Sequence, residues 1–95
     1  MITEKNGKTA VVKPGADLTE KNSEKFSGVL YALVKEDFNR FVLDMSDVKQ
    51  IDPVSLGTVK VLCSRPDLEF IIRNVSPPLM NMIELVRLDS RVTFE

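Results

Sequence analysis

Along the chain, short apolar runs alternate with longer stretches in which apolar residues recur every three or four positions. Short apolar runs rich in β-branched and aromatic residues predict strands, and one-sided stripes with spacings of three and four predict helices. The predicted strands lie at 2–5, 8–13, 41–43, 68–73 and 92–94, and the predicted helices at 21–37, from 52 and from 76. Strands that alternate with helices indicate right-handed crossovers. The sequence therefore predicts an α/β fold, with one small domain over residues 1–95, a mixed, mostly parallel sheet and helices packed on it.

The first helix and the third strand have the clearest patterns. The helix has a one-sided apolar stripe, which is formed by Phe26, Val29, Leu30, Leu33 and Val34. Thr19 or Asn22 is placed to cap this helix. Phe41-Val42-Leu43 is instead continuously apolar, which is typical of a strand covered on both faces, as in a parallel sheet.

Turn and cap residues mark the boundaries between the elements. Asn6-Gly7 is a two-residue hairpin signal, because both central positions of a type I′ turn need a positive φ. Asp52-Pro53 and Ser76-Pro77 each place a capping side chain before a proline at the first helical position, where the missing N–H costs nothing. These signals predict an N-terminal hairpin and locate the starts of the second and third helices.

Composition narrows the classes of function. The 95 residues carry a net charge of −1, which argues against the clustered basic surface of a nucleic-acid-binding protein. The absence of histidine, a single cysteine and four scattered glycines removes the commonest general base, a cysteine metal cluster and a glycine-rich phosphate loop. We therefore expect no catalytic residue, no metal and no cofactor, and a small enzyme or nucleotide binder is the least favoured class of function.

The distribution of apolar residues bears on location. No apolar run approaches the roughly 18–20 residues that cross a bilayer, and the polar segment Met1–Gly7 lacks the apolar region of a signal peptide. Direct membrane insertion is therefore not expected, and a cytoplasmic location is the default. Cys63 is expected to be a small core residue, since free cysteine is among the most buried residue types.

The loop before the second helix holds the main candidate site. In an open α/β sheet, ligands and partners meet the edge beyond the carboxyl ends of the strands. That edge should carry the loop after Leu43 and the turn at Arg73–Ser76. Asp52 is either only a helix cap, worth about 1 kcal/mol, or also part of an exposed acidic docking surface with Asp44 and Asp47.

Two hydroxyl residues lie close to this loop. Ser55 falls on the first turn of the second helix, where free N–H groups could accommodate a phosphate. The alternative for Ser55 is a small residue chosen for helix packing or for a first-turn hydrogen bond. Ser46 is expected to have a loop or turn role, and both residues are possible phosphoacceptors.

Several segments together resemble the STAS domains of anti-sigma factor antagonists. The family pattern is a strand ending in leucine and aspartate, a polar loop, and then Asp-Ser-Ser-Gly-Leu-Gly. This chain has Val42-Leu43-Asp44 and then Ile51-Asp52-Pro53-Val54-Ser55-Leu56-Gly57. Pro14-Gly15-Ala16-Asp17-Leu18 resembles the family's loop after the second strand, and Asn74-Val75-Ser76-Pro77-Pro78 its third-helix segment. The resemblance covers nearly the whole chain, and the motif residues that match directly are Asp52, Leu56 and Gly57.

The resemblance implies a non-catalytic regulatory module that binds an anti-sigma factor, usually an ATP-binding serine kinase, and so releases a sigma factor. The expected partner-binding residues are Asp17, Asp47, Asp52, Pro53, Ser55, Gly57 and Asn74. The family is switched by phosphorylation of the hydroxyl residue after the loop aspartate, and Pro53 stands at that position here. The protein then either binds constitutively, uses Ser55 or Ser46 instead, or acts without phosphorylation as a STAS subunit of a transporter or stress-signalling complex. The oligomeric state stays open.

Overall fold

The computed structural model describes the backbone of residues 1–95 and every side chain except that of residue 89. The elements follow the predicted order, with ends that differ from the predicted ones by a few residues. They are β1 (Ile2–Asn6), β2 (Thr9–Lys13), α1 (Glu20–Lys35), β3 (Arg40–Asp44), α2 (Pro53–Cys63), β4 (Glu69–Arg73), α3 (Pro77–Leu85), a 3₁₀ turn (Leu88–Ser90) and β5 (Thr93–Phe94).

The five strands form one sheet in chain order, β1-β2-β3-β4-β5. The first pair is antiparallel, and the remaining neighbours are parallel. Right-handed crossovers that always step in the same direction place their helices on one face of the sheet. The buried sides of α1, α2 and α3 do join a single core. The predicted mixed, mostly parallel sheet with packed helices is therefore confirmed.

The core lies between the three helices and one face of the sheet. The strand residues that point into it are Ala10, Val12, Phe41, Leu43, Phe70 and Ile72. The rings of Phe41 and Phe70 stack with centroids 4.9 Å apart. Cys63 belongs to the same core, as expected, and burial raises the pKa of its thiol.

The other face of the sheet carries none of the helices that the structure describes. Val42 and Ile71 point to this open face and are only 5% and 3% exposed, yet neither belongs to the helix-covered core. The rows on either side of them carry long charged side chains, including the ion pair between Arg40 and Glu69 at 3.2 Å. The middle of β3 is thus buried on both faces, as its apolar run predicts, but the cover on the open face is not the second helical layer of a parallel sheet.

The N-terminal hairpin is confirmed, although its turn lies one residue later than the sequence suggests. Asn6 pairs with Thr9, so the two central residues are Gly7 and Lys8. Gly7 has a φ of 61°, whereas Lys8 is not among the described residues with positive φ. This is the φ signature of a type II′ turn rather than the predicted type I′ turn.

The three helices are capped differently. Thr19 and Ser76 occupy the cap positions of α1 and α3, but neither side chain makes a capping hydrogen bond. Asn22 does not cap α1 either, since its side chain donates to two backbone carbonyls of the preceding loop, at 2.9 and 3.3 Å. Only in α2, among the three helices described, does a side chain cap the first turn, and that residue is Asp52.

Candidate functional site

Asp52 connects the loop after β3 to the first turn of α2. Its carboxylate accepts the backbone N–H of Ser55 at 3.0 Å, which is the predicted cap. The same carboxylate also accepts the hydroxyl of Ser23, which comes from α1. Burial alone would raise the pKa of Asp52, but the Ser23 hydroxyl and three backbone N–H groups outweigh it and hold that pKa below its usual range. The carboxylate is therefore ionised at neutral pH and engaged within the fold.

Hydroxyl groups line the contact between α1 and α2. Because the Ser23 hydrogen goes to Asp52, Ser55 is the donor in the 2.6 Å contact between the Ser55 and Ser23 oxygens. One turn further along, Ser27 and Thr58 are 2.7 Å apart through their hydroxyl oxygens. These satisfied pairs hold α2 in one position against α1.

Ser23 was not predicted from the sequence as part of the site. Ser23 is fully buried and shares the inward side of α1 with Phe26, Leu30 and Leu33. A hydroxyl residue three positions before Phe26 extends the apolar stripe by one turn. That spacing could have predicted that Ser23 faces the core. The identity of its partner, Ser55 on α2, depends on how the two helices pack and could not be predicted from it.

Asp17 holds the loop that precedes α2. One of its carboxylate oxygens accepts the backbone N–H groups of Lys49 at 2.7 Å and Gln50 at 3.1 Å. These two hydrogen bonds hold the pKa of Asp17 below its usual range. Next to it, the backbone of Leu18 pairs with the loop on both sides of Ile51. Asp17 therefore positions the loop through one of its two carboxylate oxygens.

Asp47 and Asn74 lie on the exposed edge that the sequence predicts. Asp47 lies 3.9 Å from the ammonium of Lys13, measured between the charged atoms. Asn74 has a φ of 59° and donates to the carboxylate of Asp44 at 3.0 Å. This hydrogen bond holds the pKa of Asp44 below its usual range. This hydrogen bond joins the turns that follow β3 and β4, so it stabilises this part of the sheet edge without a partner.

The two candidate phosphoacceptors have opposite environments. The side chain of Ser55 is fully buried, and the N–H of Ser55 is already bonded to Asp52. A phosphate on Ser55 would have to break both the cap and the contact with Ser23, so the structure argues against the accommodation expected at this helix end. Ser46 is exposed in the loop, and its N–H donates to Asp44 at 3.1 Å. Only Ser46 of the two presents an accessible hydroxyl.

The outward side of α2 is apolar. Pro53 and Gly57 are exposed, and Val54 and Val61 are 54% and 58% exposed. Between this helix and α3 lies a cavity of about 410 Å³. It is lined by Pro53, Leu56, Gly57, Lys60, Met82 and Val86, and we call it the α2–α3 groove. The sequence predicts that Pro53 and Gly57 belong to the binding surface. It does not predict the groove, because one wall of the groove comes from α3.

The site combines an exposed loop with an apolar helix side. Among the described residues, no three acidic, histidine or cysteine side chains are grouped closely enough to hold a metal ion. Within the same described part of the chain, no helix has the length and hydropathy of a membrane span. Asp52, the acidic residue at the start of α2, is engaged in the cap, so the accessible features are the exposed loop and the apolar side of α2.

Comparison with known proteins identifies the family. The fold matches the crystal structure of a candidate anti-sigma factor antagonist from Thermotoga maritima, with a TM-score of 0.86 and 21% identity over 98% of this chain and 83% of that one. It also matches the anti-sigma factor antagonist SpoIIAA in its unphosphorylated form, with a TM-score of 0.80 and 14% identity over 99% of this chain and 86% of that one. At these identities the structural matches establish the fold alone. No curated protein sequence gives a significant match.

The family model for the STAS domain matches residues 1–95. The chain therefore belongs to the STAS domain family, and the resemblance seen in the sequence is confirmed. Its fold is that of the anti-sigma factor antagonists.

Proposed function

We propose that this STAS domain is a cytoplasmic anti-sigma factor antagonist that binds a kinase-type anti-sigma factor and thereby releases a sigma factor. The observation that carries the proposal is the exposed apolar side of α2 directly beyond the Asp52 cap. Exposed apolar patches on small soluble domains mark interaction sites. The family and the fold supply the class of partner.

The proposed action is binding without catalysis. Domains of this family are generally non-catalytic regulatory modules. In this chain the ionised Asp52 positions α2 through its hydrogen bonds to Ser23 and Ser55. A residue committed in this way acts on a partner through the helix that it orients, while Asp47, Pro53 and Gly57 supply accessible surface.

We further propose that binding is constitutive. Pro53 has neither a hydroxyl nor an N–H, Ser55 is buried, and the Ser55 N–H that could stabilise a phosphate is already bonded to Asp52. A phosphate on the exposed Ser46 would lie beside Asp44 and Asp47, and the added charge of about −1.5 to −2 would be repelled there. These features support an antagonist without the usual phosphorylation switch.

The first experiment is capture of the partner with the tagged protein from its native cells, followed by reconstitution with the purified partner. We expect an ATP-binding anti-sigma factor, and an unchanged intact mass of this protein after incubation with ATP. A gain of one phosphate would contradict constitutive binding. Recovery of a transport ATPase or a stress-signalling scaffold would contradict the antagonist role and support the alternative STAS subunit, which also needs no phosphoacceptor.

A pair of variants then locates the binding surface. Val54→Asp places a charge on the outward side of α2, and Tyr31→Asp places one on the outward side of α1, where Tyr31 is 45% exposed. Both residues are exposed, so both variants should fold. We expect Val54→Asp to weaken the reconstituted complex at least tenfold and Tyr31→Asp to change it less than twofold. Equal effects would show that α2 is not the docking helix.

A further inference from the structure

We infer that the α2–α3 groove receives an amphipathic helix of the partner, which places an apolar side chain between α2 and α3 and a carboxylate against Lys60. This inference rests on the proposed function, and it names the chemistry of the partner at that surface. The proposed docking surface otherwise lies on the loop and on the exposed turns of α2 alone. The groove extends it to α3.

The lining of the groove is apolar except at one position. Five of its six residues are apolar or glycine, and the sixth is Lys60 near the last turn of α2. These six residues include no carboxylate, and Lys60 takes part in none of the ion pairs found among the described side chains. A groove with apolar walls and a single cation is complementary to an apolar side chain that has an acidic neighbour.

Gly57 supplies a second argument. It lies in the interior of α2, where glycine destabilises a helix by roughly 0.5–1 kcal/mol relative to alanine. Its φ is not in the left-handed region, and a Cβ built on it would meet no atom within 4 Å. Neither backbone conformation nor internal packing therefore requires glycine here. The missing side chain leaves the groove open beside Gly57, which allows a partner to approach the α2 backbone there.

Charge distinguishes a foreign helix from a second copy of this chain. In a two-fold symmetric dimer the same patch meets itself. Two α2–α3 grooves that faced each other would bring the two Lys60 side chains to the same interface without a lining carboxylate to compensate them. Helices with apolar anchors at spacings of three, four and seven commonly dock in grooves of this kind. The geometry and the charge therefore favour a partner helix that carries an acidic residue.

The test uses two synthetic 16-residue helical peptides with the same leucine stripe. One has a glutamate next to the central leucine and the other has a lysine there. Both are titrated into the ¹⁵N-labelled protein and followed by NMR. We expect the glutamate peptide to bind at least tenfold more tightly, with amide shifts centred on Leu56, Gly57, Lys60, Met82 and Val86. Lys60→Glu should reverse the preference between the peptides.

A matched pair of glycine variants controls for stability. Gly57→Leu should fill the groove and abolish peptide binding. Gly28→Leu makes the same change in the middle of α1, where an added Cβ also meets no atom within 4 Å, and should leave binding unchanged. Equal affinity for the two peptides, shifts outside the groove, or concentration-dependent self-association of the protein through these residues would overturn the inference.

The proposed function and the groove assignment can fail separately. Success of the peptide test without capture of an anti-sigma factor would leave the groove assignment standing and remove the proposed function. Capture of an anti-sigma factor whose binding is insensitive to Gly57→Leu would leave the proposed function standing and overturn the groove assignment.

Discussion

Helices α1 and α2 pack side by side on the same face of the sheet, yet the outward side of α1 is charged and that of α2 is mostly apolar. The outward side of α1 alternates charges of both signs, with Glu20, Lys21, Glu24, Lys25 and Lys35 exposed. The outward side of α2 exposes Pro53, Val54, Gly57 and Val61, with Lys60 as its one charge. A helix that is polar on one side is suited to water, and a helix that is apolar nearly all round is suited to burial. The difference supports the proposal that the outward apolar side of α2 binds a partner.

The N-terminal ends of the two helices differ in the same sense. Thr19 begins α1 without a side-chain cap, whereas Asp52 caps α2 and also binds Ser23 across the helix contact. The proposed docking helix is therefore the one whose start is fixed by a side-chain cap and a contact with the neighbouring helix. A docking helix that is fixed before it binds loses less conformational freedom on association.

The largest expected effects test whether the two helices are equivalent on their inward sides. Leu30 on α1 and Leu62 on α2 are both buried in the core. Leu30→Ala and Leu62→Ala should each lower the free energy of unfolding by about 2–5 kcal/mol, because each leaves a cavity. Chemical denaturation would measure both losses.

The neighbouring outward residues provide the control for that pair. Tyr31→Ala and Val61→Ala change exposed side chains and should alter stability by less than about 0.5 kcal/mol. A large loss at Val61 would mean that the outward side of α2 is already covered within this chain. The contrast between the two helices would then disappear.

The next largest effect concerns the helix starts. Asp52→Ala removes the cap and the acceptor of the Ser23 hydroxyl, and we expect it to cost about 1–2 kcal/mol. Thr19→Ala removes a side chain that makes no capping bond, and it should cost less than about 0.5 kcal/mol. If Asp52 orients α2 for binding, then Asp52→Ala should also weaken the reconstituted complex when both proteins are fully folded. Unchanged affinity in the folded variant would limit Asp52 to a structural cap.

The sequence predicts the features that depend on neighbours within one element. The stripe of α1, the cap at Asp52 and the hairpin at Gly7 are local patterns, so they could be read directly. The open face beside Val42 depends on the order of the strands in the sheet. Two features form only where the fold brings two elements together: the Ser23–Ser55 contact and the groove between Gly57 and Met82. The periodicity of a single element does not predict such contacts.

Acid should weaken the α2 start in a definable range. The pKa of Asp52 is held below its ordinary value of 3.8 in the folded protein, so its ionised form contributes stability that is fully present above that value and is lost as the pH falls through the folded pKa. Asp52→Asn should therefore reduce the loss of stability between pH 5 and pH 2.5, as measured by thermal unfolding. Asp67→Asn is the control on an exposed surface. Its ion pair with Arg65 lowers the pKa of Asp67 just beyond the C-terminal end of α2, at the opposite end of the helix from Asp52. An Asp52→Asn variant with the parent's acid sensitivity would show that the buried contacts of Asp52 do not favour its charge.

The smallest expected effect is that of replacing a helix glycine by alanine, which in α2 should change stability and binding in opposite directions. Gly28 and Gly57 lie inside α1 and α2, and each has open space where a Cβ would project. Gly28→Ala and Gly57→Ala should therefore each raise the free energy of unfolding by about 0.5–1 kcal/mol, because alanine favours the helix. Denaturant midpoints would show two similar gains. Only Gly57→Ala should weaken partner binding, because its new methyl group narrows the α2–α3 groove. A several-fold loss of affinity in this more stable variant would show that glycine keeps the groove accessible to a partner at the expense of helix stability. Equal binding by the two stabilised variants would mean that Gly57, like Gly28, has no role in partner binding.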